Sequence, residues 1–104
     1  MTWSETVIAA HLAVTEAVSH GFRLQSERYF VWQEDGNNDL TGGNGHAETC
    51  MTGATDLYTK VELDPWGAAL GKSFDRFGIS WDLVLVEYEE ETGFWHWSWD
   101  WEVV

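Results

Sequence analysis

The chain is short of cations. Five Lys and Arg stand against 18 Asp and Glu in 104 residues, giving a formal net charge of −13. A protein that grips nucleic acid by its phosphates replaces condensed counterions with its own positive charge. That role is excluded here, and a surface of this sign repels DNA. A single cysteine, Cys50, excludes an internal disulfide. At a strand position such a lone thiol reads as a small buried hydrophobe. No apolar run reaches the length of a membrane span, and no basic-then-apolar leader opens the sequence. Folding in the cytosol is therefore the simplest expectation. What the chain has in excess is aromatic: 8 Trp, 5 Phe and 3 Tyr, a composition that excludes disorder. One domain over residues 1–104 follows from the length.

Thr2-x-x-Glu5 fits a capping box. Val7, Ala10, Val14, Ala17 and Val18 recur at three-four spacing, with Ile8 and Leu12 widening the stripe. This predicts a first helix over Ser4–His20, ended by Gly21, with His11 an ordinary surface or boundary residue. "RYFVWQED" (28–35) reads as a strand. The Gly/Asn-rich stretch that follows cannot pack a core, so Asp35–Gly45 is expected to be a long flexible loop. "HAETCMTGATDLYTKVEL" (46–63) is extended, as one long strand or two short ones, with a bulge or bend at Gly53. "DPWGAALGKSFDRFG" (64–78) is a second helix: Asp64 caps it, Pro65 opens it and Gly78 closes it. Its stripe is Trp66, Ala69, Leu70, Phe74 and Phe77. Gly67 and Gly71 inside it cost helicity and imply a close helix–sheet contact.

The last segment (79–104) reads as a β-hairpin with its turn at Glu90–Gly93. Trp95, Trp97, Trp99 and Trp101 occupy every second position and so share one face. Tyr88, Val86 and Val84 are even-numbered. They join that face only if paired numbers sum to an odd value, which a four-residue turn with Gly93 in the left-handed position provides. Tyr88 then faces Trp95, Val86 faces Trp97 and Val84 faces Trp99. The opposite face carries Glu87, Glu89, His96, Ser98, Asp100 and Glu102, with Leu83 and Leu85. Apolar residues on both sides make "WDLVLV" (81–86) a central strand. The expected fold is α+β, a two-layer domain of order α-β-β-α-β-β, with two helices on one face of a mainly antiparallel sheet. The tryptophan row should face the helices, with some of its area left for a partner.

Chemistry-bearing patterns are sparse. Glu87 and Glu89 share a strand face but have no nucleophile or His–carboxylate spacing beside them, so they read as a solvated face. Asp35-x-Asn37-x-Asp39 imitates the start of a calcium loop, but Leu40 and His46 stand where that loop needs Gly and Glu. His46, Cys50 and His96 lack the paired spacing of a zinc site. "GGNG" lacks the strand–helix context of a nucleotide loop. The expectation is a non-enzyme with no metal and no cofactor. Exposed tryptophans could instead stack on sugars or peptides. A base platform would need positive charge that the hairpin lacks.

The sequence "YFVWQEDG", the Gly/Asn loop, "GATDLYTKVELDPW", a helix and "GISWDLVLVEYEEETGFWHWSWDWEV" together resemble small prophage-encoded proteins of bacteriophages with long non-contractile tails. These are taken for tail terminator or tail completion proteins. The resemblance covers nearly all of the chain from Tyr29 onward and rests on layout, so it carries over no individual functional residue. It implies a homo-hexameric ring that caps the tail tube, stops its growth and offers its other side to the head–tail connector or stopper. The ring would sit at the head–tail joint of the virion after assembly in the host cytoplasm, and DNA would pass through it without being bound specifically. Acidic Glu87, Glu89, Glu90 and Glu91 are candidates to face that channel. A segment that orders on assembly would hold Asp35, Asn37, Asn38, Asp39 and Asn44. Trp95, Trp97, Trp99 and Trp101 are candidates for subunit or partner contacts. A closing ring needs two different patches, for which the hairpin and the edge of the first helix are candidates. Another head–tail joining protein, a stopper or adaptor, fits the same features. So does a tryptophan-platform module that binds carbohydrate or peptide.

Overall fold

A computed structural model describes residues 1–39 and 49–104. The elements run α1 (Trp3–Leu12), β1 (Val18–His20), β2 (Arg28–Asp39), β3 (Thr49–Thr59), α2 (Pro65–Arg76), β4 (Ser80–Glu89) and β5 (Phe94–Val103). The fold is α+β, with two helices and a five-stranded mixed sheet of order β1-β2-β3-β5-β4. The order of elements is α-β-β-β-α-β-β, one strand more than expected.

The extra strand, β1, lies within the Ser4–His20 span that the spacing predicts as helix. The capping box is present: Glu5 N–H donates to Thr2 Oγ1 and Thr2 N–H to Glu5 Oε1. The helix stops at Leu12, with Ala13 as its cap. Beyond it Val18, Ser19 and His20 pair in parallel with Phe30, Val31 and Trp32. The ladder outweighs a helical spacing that β-branched residues support only weakly. Gly21, at φ +88, ends this strand and not the helix, its N–H donating to Trp32 O.

The expected loop also shortens. Asp35–Asp39 belongs to β2, where Gly36 to Asp39 pair with Thr52 to Thr49, and a bulge at Asp35 breaks the register. The irregularity expected at Gly53 thus lies in the neighbouring strand. The rest of that loop, with Asn44 and His46, lies outside the described residues.

The second helix begins as its sequence dictates. Asp64 is buried and accepts hydrogen bonds from Trp66 N–H (2.9 Å), Thr59 Oγ1 (2.7 Å) and the Arg28 guanidinium (2.6 and 2.9 Å). Burial alone would raise its pKa. The bonds from Arg28, Trp66 and Thr59 outweigh burial and hold it below the ordinary value. Both helices pack on one face of the sheet. Val7 and Ala10 of α1 and Leu70 and Phe74 of α2 join Phe30, Trp32, Leu57, Trp99 and Trp101 in one core.

The two glycines of α2 allow that approach: the Trp97 indole lies against Gly67 and the Trp81 indole against Gly71. A methyl at Gly67 would occupy the space of the Trp97 ring. Alanine there gains about 1 kcal/mol of helix propensity but overpacks this contact, a change that costs about 1–3 kcal/mol. Gly67→Ala is therefore expected to lower the urea midpoint with the denaturant slope unchanged.

The hairpin register holds at its tip and shifts further in. Tyr88 pairs with Trp95 and Val86 with Trp97, and Gly93 closes the turn at φ +76. A bulge then leaves Val84 without a partner, and Leu83, not Val84, lies opposite Trp99. Leu83 thereby moves to the helix face. "WDLVLV" is also not central: β4 is the last strand of the sheet, and β5, the tryptophan strand, is the interior one.

Candidate functional site: an acidic sheet face and an unpaired edge

Strand alternation gives the sheet a dry side and a wet side. On the helix side Trp99 and Trp101 are 1% and 3% exposed, while Trp95 and Trp97 are half-buried. A polar chain threads this core. His11 Nδ1 lies 2.7 Å from Val7 O, so it carries the proton, and Nε2 is left to accept from the Thr55 hydroxyl at 2.9 Å. Thr55 Oγ1 in turn accepts from Trp101 Nε1–H at 2.9 Å. This run of donors and acceptors through Val7, His11, Thr55 and Trp101 needs His11 neutral, and burial pushes the His11 pKa down to about 4. The sequence places His11 at a surface or boundary position, and the structure buries it fully. Position 11 falls on the same stripe as Val7 and Val14, the signal that could have placed it.

The other side of the sheet has no helix over it among the described residues. β4 and β5 present Asp82, Glu87, Glu89, Asp100 and Glu102 there, and β3 adds Asp56. Near the turn His96 sits among these carboxylates. Its Nε2 is 2.8 Å from Asp56 Oδ1, and its Nδ1 is 3.9 Å from Glu87 and 3.8 Å from Glu89. The hydrogen bond to Asp56 and the charges of Asp56, Glu89 and Glu87 raise its pKa against a smaller desolvation penalty. A raised folded pKa means that this contribution to stability is complete below about 6.5 and is lost as pH rises through the folded value.

Ligand atoms of Glu87, Glu89 and His96 lie within 4.8 Å of one another. A mixed carboxylate–imidazole set suits a divalent transition metal, which would have to displace the proton that the carboxylates favour. At the far end Asp35, Asp82, Asp100 and Glu102 line a shallow hollow beside Trp101. Cys50 donates to Glu102 Oε1 at 2.8 Å. Burial, then that bond, push the thiol pKa up to about 11, so Cys50 is a poor nucleophile.

The outer edge of β4 is the third feature. Among the described residues no element lies beyond it. Leu83, Val84, Val86 and Tyr88 are 43%, 53%, 44% and 49% exposed. A ten-residue edge strand with this much apolar surface is a template for another chain.

The residues singled out in the sequence are thus distributed over several places. Trp99 and Trp101 lie in the core, and Trp95 and Trp97 lie nearer the hairpin tip. Glu87 and Glu89 lie on the open face and Glu90 and Glu91 in the exposed turn. Asp35 is at the β2 bulge, accepting from Thr52 Oγ1, while Asn37, Asn38 and Asp39 continue the strand. The grouping of His96 with Glu87, Glu89 and Asp56 was not read from sequence, although the pairing of Glu87 with His96 follows from the hairpin register. No protein-family model matches this chain, and no curated protein matches it.

Proposed function

We propose that this chain is a structural subunit of a phage virion, a tail terminator that closes into a ring of about six copies on the tail tube and meets the head connector. The observation that carries the reading is the open face of the sheet, with Asp56, Asp82, Glu87, Glu89, Asp100 and Glu102 on one surface. Turned inward, such a face forms a wall along which DNA moves without adhering. A closing ring also needs two unlike, complementary patches. Lys72 and Arg76 have no carboxylate within 4.0 Å among the described residues. They flank a groove between the ends of α1 and α2 floored by Ala13, Val14 and Ala69. Exposed Glu90 and Glu91 at the hairpin tip match it in charge.

Light scattering over a wide concentration range, with negative-stain images of the heaviest fraction, tests this reading. The expected result is a ring with a central hole, alone or on added tail tubes. A strict monomer in both conditions overturns it. A stopper or adaptor would give the same ring, and its position in the particle separates the two.

A further inference from the structure

The β4 edge has the chemistry of an acceptor for one kind of strand. We propose that it binds an extended segment of another protein in which apolar and basic residues alternate, added to the sheet beside Leu85–Glu89. The proposal goes beyond the ring reading and does not require it.

The argument begins with hydrogen bonds. An edge strand presents a row of backbone N–H and C=O groups that an added strand can pair. β4 is regular from Leu85 to Glu89, and its bulge at Val84 limits pairing on the other side. Side chains along this stretch alternate. Val86 and Tyr88 lie on the helix face, 44% and 49% exposed, and Glu87 and Glu89 lie on the open face. A neighbouring strand therefore meets apolar surface at Val86 and Tyr88 on one face and the carboxylates of Glu87 and Glu89, after Leu85, on the other.

The chain's own strands do not fit this edge. A second β4 would bring Glu87 and Glu89 beside their own copies, and like charges across strands destabilise pairing. The outer side of β2 beyond β1 offers Glu34 and Asp35. β1 carries no lysine or arginine, and its His20 lies 2.7 Å from Glu34. The one arginine within a strand, Arg28, is held by Asp64. The complementary strand must come from a different, basic chain.

The test uses the intact protein and a synthetic seven-residue peptide alternating lysine with valine, fluorescently labelled. Anisotropy measures binding, and amide hydrogen exchange locates it. Saturable binding is expected, with new protection confined to Leu85–Glu89. Glutamate in place of lysine should weaken binding about tenfold, and Glu87→Lys about threefold, as cross-strand charge pairs predict. Methylating alternate peptide nitrogens should abolish binding in one of the two phases.

The proposal is overturned if no binding is seen up to millimolar peptide, if protection falls elsewhere, or if both methylated peptides bind as well as the parent. The last result would mean attraction to the acidic face without strand addition. Mass measured on the same sample reports ring formation separately, so failure of either reading is recognised without the other.

Discussion

Trp101→Ala should cost the fold about 3–5 kcal/mol, the range for removing a buried tryptophan, and should leave the assembly of the folded fraction unchanged. Trp101 is 3% exposed, tilts against Trp32 at 6.3 Å and covers Gly53 from the helix side. Its truncation opens a cavity over Gly53 on the helix side of the sheet and also removes the donor to Thr55 Oγ1. In a domain of this size the loss should lower the melting temperature by roughly 15 °C or more. Calorimetry gives the stability change, and light scattering at a temperature where the variant is folded gives the assembly. A variant that stays folded but fails to assemble would give the residue a role at an interface.

Acidification should destabilise the protein through His11. Burial holds its pKa at about 4 in the folded chain against an ordinary value of 6.5. A depressed folded pKa means that stability is complete above the unfolded value and is lost as pH falls toward the folded one. The expected loss between pH 7 and pH 5 is about 2 kcal/mol, approaching roughly 3 kcal/mol near pH 4. His96 acts in the opposite sense, because its raised pKa withdraws stability above about 6.5. Together they predict a maximum near pH 6.5. Urea unfolding at pH 5, 6.5 and 8 measures it. His11→Gln should be less stable at pH 6.5 yet lose the acid limb. An unchanged acid limb in that variant would assign the effect to other groups.

Where local chemistry decided the structure, the sequence was readable. Asp64-Pro65 set the start of α2, the parity of the tryptophans against Tyr88 and Val86 set the register at the hairpin tip, and Gly67 and Gly71 marked where α2 lies against Trp97 and Trp81. The misses share a cause, in that partners distant in sequence made the decision. Val18–His20 continues a helical spacing and becomes a strand because Phe30–Trp32 is there to pair with it. The apolar residues of β4 suggested burial on both sides, but the strand is at the edge because β5 pairs with β3. Of the candidate site, the acidic side-chain alternation was legible. The free edge beside it was not, since strand order is a property of the whole sheet.

That strand order also governs timing. β5 follows β4 and is the last of the seven elements among the described residues, yet it joins β3 to β4. During vectorial synthesis the first half can form the β2–β3 hairpin, but no strand pairs β4 to it until residues 94–103 have emerged. Contacts that close late and over long separations slow folding. A nascent chain would thus expose Leu57 and Phe74, buried in the finished fold, until its synthesis passes the tryptophans. A nascent chain that stops short of the tryptophans would then lack a finished β4 edge.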